Sequence, residues 1–173
     1  MATKKSMVVL LDILMISAWI LGSTIQAGAE TLKGKSIATT TKNEDIQVND
    51  APGHILRLNI MEGLAFFENG EIVKVRSHSI IDATQGRVSE AISYNIWTFE
   101  DGSTVINRSQ RSMVPDKSGT LSARVISEFI KGTGRFEGIK GTGSATGKNF
   151  LASEGETARV FSDFTWIYTL PAK

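Results

Sequence analysis

The chain has 173 residues, with 19 Lys and Arg against 18 Asp and Glu, 16 Gly, three Pro and no Cys. So even a charge balance gives no electrostatic reason to expect a nucleic acid or an anionic membrane surface as partner. The lack of cysteine excludes disulfides, thiolate chemistry and a lipid-anchored leader, and the length suits one domain with one real core.

Lys4-Lys5, an apolar run from Met7 to Leu21 broken by Asp12, and Ala27-Gly28-Ala29 form the three parts of a secretory signal peptide. The run is short for a bilayer span, which needs about 20 residues; an uncleaved anchor is the competing reading. Cleavage after Ala29 is expected, which removes Lys4, Lys5 and Asp12 and leaves acidic and basic residues equal in number. The expected location is secreted or periplasmic. Residues 30–173 then read as one domain, with an N-terminal strand and loop over 30–53 and the barrel body over 54–173.

Leu32–Thr41 reads as a first strand and Asn43–Pro52 as loop. His54–Phe67 alternates, with Leu56, Leu58, Ile60, Leu64 and Phe66 on one side. Asn69-Gly70 is a two-residue hairpin signal, after which Ile72–Ile81 returns and Asp82–Gly86 turns. Glu90–Glu100 carries Tyr94, Ile96, Trp97 and Phe99. Asp101-Gly102 is a second tight turn, Ser103–Met113 returns, Pro115–Gly119 turns and Thr120–Lys131 follows. A glycine-rich segment, a polar turn at Asn149–Gly155 and a strand over Thr157–Leu170 complete the chain. Eight strands with short connections and no helical period after the leader predict an all-β, eight-stranded antiparallel up-and-down barrel. A two-sheet sandwich is the rival, because strand spacing does not separate the two. Val160, Phe164, Trp166, Tyr168 and Leu170 share one face of the last strand, while Phe161 and Ile167 lie on the other. An outer wall packed against partner subunits would explain such two-sided apolarity.

The glycines of the segment Phe129–Lys148 are spaced for bends and close backbone approach rather than for a linker. Lys131–Arg135 reads as a hairpin turn on Gly132 and Gly134, with a bent strand after it. A P-loop would need glycine at Thr142 and Ser or Thr at Asn149; a dinucleotide fingerprint would need glycine at Glu137. Neither is written here.

Gly132-Thr133-Gly134-Arg135-Phe136, continuing to Gly141, resembles the Gly-Thr-Gly-x-Phe segment of dirigent proteins and allene oxide cyclases. Glu62–Glu71 and Thr98–Thr104 resemble bacterial members of the same barrel superfamily, and the likeness covers residues 50–170. It implies an allene oxide cyclase-like barrel and a homotrimer. The dirigent pocket acid and arginine would correspond to Arg135 and Lys140, a departure in both places. Glu62 and Asn59 are the candidates for the cyclase pocket pair.

Candidate ligand-binding residues are the charges on otherwise apolar faces, together with one indole: Glu62, Arg76, Trp97, Arg124, Glu128 and Asp163. A buried carboxylate asks for a reason. It could be a ligand-facing or acid–base group, or one half of a Glu–Arg pair that fixes register; Arg124 or Arg76 would then partner Glu62. Lys74, Arg76 and His78 share a face that reads as solvent-facing, and His54 reads as surface. The two histidines have no metal-ligand spacing, so neither metal nor cofactor is expected. Asn107-Arg108-Ser109 matches a glycosylation sequon in mid-strand. Three functions follow: a secreted binding module for a small apolar or aromatic ligand, a cofactor-free cyclase or isomerase using Glu62 or Glu128, and a structural or interaction protein with a filled barrel.

Overall fold

The structure, a computed structural model, describes residues 28–85, 87–115, 121–150 and 159–172. The expected leader, Gly86, nearly all of the Pro115–Gly119 turn and most of the Asn149–Gly155 turn lie outside the described residues. Eight strands are present: β1 (Glu30–Gln47), β2 (His54–Phe67), β3 (Ile72–Thr84), β4 (Arg87–Thr98), β5 (Thr104–Pro115), β6 (Leu121–Gly132), β7 (Lys140–Phe150) and β8 (Arg159–Thr169). Each pairs antiparallel with the next, and β8 returns to pair with β1, so the sheet closes as a barrel. Closure leaves no edge strand to protect.

Two elements differ most from the expected ones, while β3 and β4 extend to Thr84 and from Arg87 into the expected Asp82–Gly86 turn region. β1 runs on to Gln47, through residues read as loop, because Asn43–Gln47 pair with Asn59–Ile55 of β2. Asp45 there accepts two hydrogen bonds from Arg57, at 2.6 and 2.7 Å, a forked pairing that a polar sequence does not advertise as a strand. The glycine-rich turn is also longer than Lys131–Arg135. It contains a 3-10 turn over Gly134–Phe136 and delivers the chain to β7 only at Lys140.

The assignment of faces on β2 is the main correction. Leu56, Leu64 and Phe66 are exposed, whereas Asn59, Met61, Ala65 and Phe67 are buried. Period-2 alternation groups side chains by face, but it does not say which face is inside. An eight-stranded barrel is just wide enough for its own side chains or for one small ligand beside them. Its interior therefore takes the small Ala65 and Gly63 on this strand, and the bulkier Leu64 and Phe66 go outside.

The interior is filled at one end. Phe67, Trp97, Phe99, Phe129, Phe164 and Trp166 pack as one aromatic cluster, with Trp166 only 1% exposed. The Trp97 and Trp166 rings meet edge to face at 4.8 Å, and Phe67 meets Phe164 at 5.1 Å in the same manner. Both are the favoured geometry for ring quadrupoles. The 3-10 turn seals this base by inserting Phe136, which packs on Phe99 at 4.6 Å. Gly132 permits that approach, since a Cβ there would lie 2.0 Å from the Phe136 carbonyl oxygen. Outside the plug, the Arg135 guanidinium covers Phe99 and Phe136 at 4.7 and 4.9 Å and pairs with Glu71. Tyr168 donates to Glu30 at 2.8 Å, joining β8 to the start of β1.

Candidate functional site

Above the aromatic base the inward face changes chemistry. The alternation that places Val73 inside on β3 places Ser77 and Ser79 higher on the same face. On β4, Trp97 is followed upward by Asn95 and Ser93, and on β5, Val105 is followed by Asn107, Ser109 and Arg111. Ser77, Ser93, Asn95, Asn107, Ser109 and Arg111, with Ser36, Ser127 and Ser162 from β1, β6 and β8, line a cavity of about 120 Å³ in the bore. Its floor is Trp97, Phe164 and Trp166, and Met61 and Val125 supply apolar wall. The interior is thus an apolar plug below a small polar chamber.

Much of the chamber wall is internally hydrogen-bonded, as buried polar groups must be. Asn95 Nδ2 donates to Asn107 Oδ1 at 2.7 Å and to Ser109 Oγ at 2.5 Å. The Ser79 and Ser93 hydroxyls are 2.7 Å apart. Higher on β2, Asn59 donates to Asn43 at 2.7 Å and to Thr40 at 3.2 Å. Asn107, the sequon asparagine, is 2% exposed inside this wall.

Two groups stand apart. Trp97 Nε1 is buried and has no acceptor among the described residues. Arg111 lines the chamber, and no carboxylate among the described residues pairs with it. Burial, which disfavours the charged form, lowers its pKa from the ordinary value. Both unmatched groups are hydrogen-bond donors.

Of the six residues singled out in the sequence, Trp97 alone faces the interior. Glu62 and Arg76 are opposite each other on the outer wall, 3.4 Å apart, with the Glu62 side chain 52% exposed. Of the two expected partners, Arg76 and Arg124, it is Arg76 that stands beside Glu62, and the pair lies on the outer side of the wall. Glu128 and Arg124 also face outward, sharing their wall with Ile126 and Ile130. Asp163 is exposed and lies 3.7 Å from Lys35. An acid–base role for Glu62 or Glu128 inside the barrel is therefore overturned by strand parity. Asn59 and Glu62 point to opposite faces and cannot share a pocket. Arg135 and Lys140 are exposed at the sealed end, away from the chamber. The inward polar residues were missed because each looks like an ordinary solvent-facing position; the readable signal was that Asn107, Ser109 and Arg111 share parity with Val105.

Arg124 and Asp163 line a larger groove of about 780 Å³ on the outer wall, with Phe66, Phe161 and Ile126. It lies on the outer wall and is bordered by Lys33 and Lys35, so the chamber inside the bore is the better candidate despite its size. At the opposite end from the plug, His54 is clamped between Asp50 (Nδ1 to Oδ1, 2.5 Å) and Asp82 (Nε2 to Oδ1, 3.3 Å). Among the described residues there is no group of three His, Cys, Asp or Glu side chains able to hold a metal ion.

No family model and no curated protein matches the chain. Among solved structures it is similar to two pterocarpan synthase dirigent proteins. One is 13% identical, with a TM-score of 0.49, and the match covers 87% of this chain and 94% of that one. The other is 14% identical, with a TM-score of 0.48 and coverage of 85% and 99%. A beta-barrel-like protein from Acinetobacter baumannii is 10% identical, with a TM-score of 0.49 and coverage of 84% and 99%.

Proposed function

We propose that the barrel is a small-molecule binding module, exported after removal of its leader, with the ligand seated in the chamber above the aromatic plug. The observation that carries this reading is the division of the interior. A barrel serving only as a scaffold has reason to fill its whole bore with apolar side chains, as the lower half here does. The upper half instead keeps about 120 Å³ free behind a hydrogen-bonded polar wall. That is close to the roughly 150 Å³ of an engineered cavity that binds benzene, and below the ~300 Å³ at which drug-sized sites begin. The ligand is therefore a single small ring or a short chain. Its apolar or aromatic body rests on Trp97 and Phe164, and its polar end lies among the serines.

The test is retention. Residues 30–173, incubated with small-molecule extracts and washed, should carry a ligand detectable by mass spectrometry. Ser77→Leu, which narrows the chamber, should lose that ligand while keeping its melting temperature. Retention unchanged by Ser77→Leu would place the ligand elsewhere.

A second reading is supported by the outer wall. Ile37 on β1 lies opposite both Leu64 on β2 and Phe161 on β8, and all three are exposed. This contiguous apolar row favours association of barrels through their walls, with the trimer as the expected state. The two readings are compatible, since one uses the bore and the other the wall.

A further inference from the structure

We propose that the chamber selects a ligand whose polar end is a carboxylate, held by the Arg111 guanidinium. This rests on the chamber being the binding site and adds the charge of what it binds. Among the described residues, the two groups that stand apart there, Trp97 Nε1 and the Arg111 guanidinium, are both donors. Trp97 Nε1 is buried without an acceptor. Asn95 spends its amide on Asn107 Oδ1 and Ser109 Oγ, so Ser109 already accepts and its own proton is free to donate. Arg111 stands one inward position above Ser109 on β5. Glu90 on β4 and Glu128 on β6, the acidic residues of the two strands that flank β5, are both exposed. A partly buried guanidinium is costly without a counter-charge, and its fork matches the two oxygens of a carboxylate. A ligand carboxylate supplies the charge and the acceptors that the described lining lacks.

Benzoate and benzamide separate charge from shape, because they are close in size and differ in charge. Each is titrated into residues 30–173 by calorimetry, with thermal unfolding alongside. Benzoate should bind saturably at millimolar concentration or below and raise the melting temperature; benzamide should do neither. Arg111→Met should lose at least about tenfold in benzoate affinity. Without ligand it should melt no lower than the parent, because it removes an uncompensated charge. Arg111→Lys should keep part of the affinity.

The inference is overturned if benzamide binds as well as benzoate, if benzoate does not bind at millimolar concentration, or if Arg111→Met binds it undiminished. An Arg111→Met protein that unfolds also overturns it, since the guanidinium would then be a structural partner already satisfied. Ser77→Leu distinguishes the two levels. Loss of benzoate binding in Ser77→Leu but not in Arg111→Met leaves the chamber as the site and removes the anion. Binding intact in both removes the chamber as well.

Discussion

Glu62 and Arg76 stand opposite each other across β2 and β3, with Oε1 and Nε 3.4 Å apart, on the outside of the barrel. Both side chains remain half-exposed, so water screens the pair and little stability depends on it. Glu62→Gln should change the unfolding free energy by less than about 1 kcal/mol in urea denaturation. A loss of roughly 3 kcal/mol, the scale of a broken buried pair, would contradict the outward placement.

The sealed end depends on two glycines for different reasons. Gly134 has φ of +61°, where a side chain costs roughly 1–2 kcal/mol. Gly132 has ordinary backbone angles but no room, because a Cβ would meet the Phe136 carbonyl oxygen at 2.0 Å. Gly134→Val should therefore lose at least about 1–2 kcal/mol. Gly132→Ala should also destabilise, by displacing Phe136 from the plug. Unchanged melting temperatures in both variants would remove the account of this turn.

His54 makes stability depend on pH in a defined direction. Its contact with Asp50, and secondarily the charge of Asp82, raises its pKa above 6.5. Protonated His54 thus contributes fully below 6.5 and loses its contribution as pH rises through the raised folded value. Asp50, lowered by the same contact, contributes above its ordinary 3.8 and loses it as pH falls. Melting temperature should decline as pH rises above 6.5, and His54→Gln should flatten that limb. A limb of equal slope in His54→Gln would show that the clamp is not its origin.

The exposed row of Ile37, Leu64 and Phe161 leads to a prediction about assembly. Residues 30–173 should sediment as a multimer at micromolar concentration. Leu64→Glu and Phe161→Glu should each shift the population toward monomer without lowering the monomer's helix-free circular dichroism signature. A parent protein that sediments as a monomer would leave the row without an occupant.

Much of the architecture was legible because barrel strands announce themselves by alternation and by turn residues. His54–Phe67 was read to its ends, and Asn69-Gly70 and Asp101-Gly102 mark real hairpins, with Gly70 and Gly102 at positive φ. The polar half of β1 was not legible, since its strand state comes from Asp45 gripping Arg57 and not from hydrophobic pattern. On β8 the alternation separated Phe164, Trp166 and Tyr168 from the other face without assigning inside and outside, and there the bulkier row is the inner one. On β2 the bulkier row belongs to the wall, the reverse of the expected assignment. The chamber followed that error: once Leu64 and Phe66 are placed inside, serines and asparagines on the same barrel level look like surface.

The chamber's occupation is read most directly from the indole N–H of Trp97. In residues 30–173 only Trp97 and Trp166 contribute indole signals, and Trp97→Phe assigns them. On titration with benzoate, the Trp97 Nε1–H resonance should move as the buried donor gains an acceptor, by more than that of Trp166. The movement should disappear in Arg111→Met. Saturable benzoate binding that leaves the Trp97 resonance in place would contradict a ligand seated above the aromatic plug.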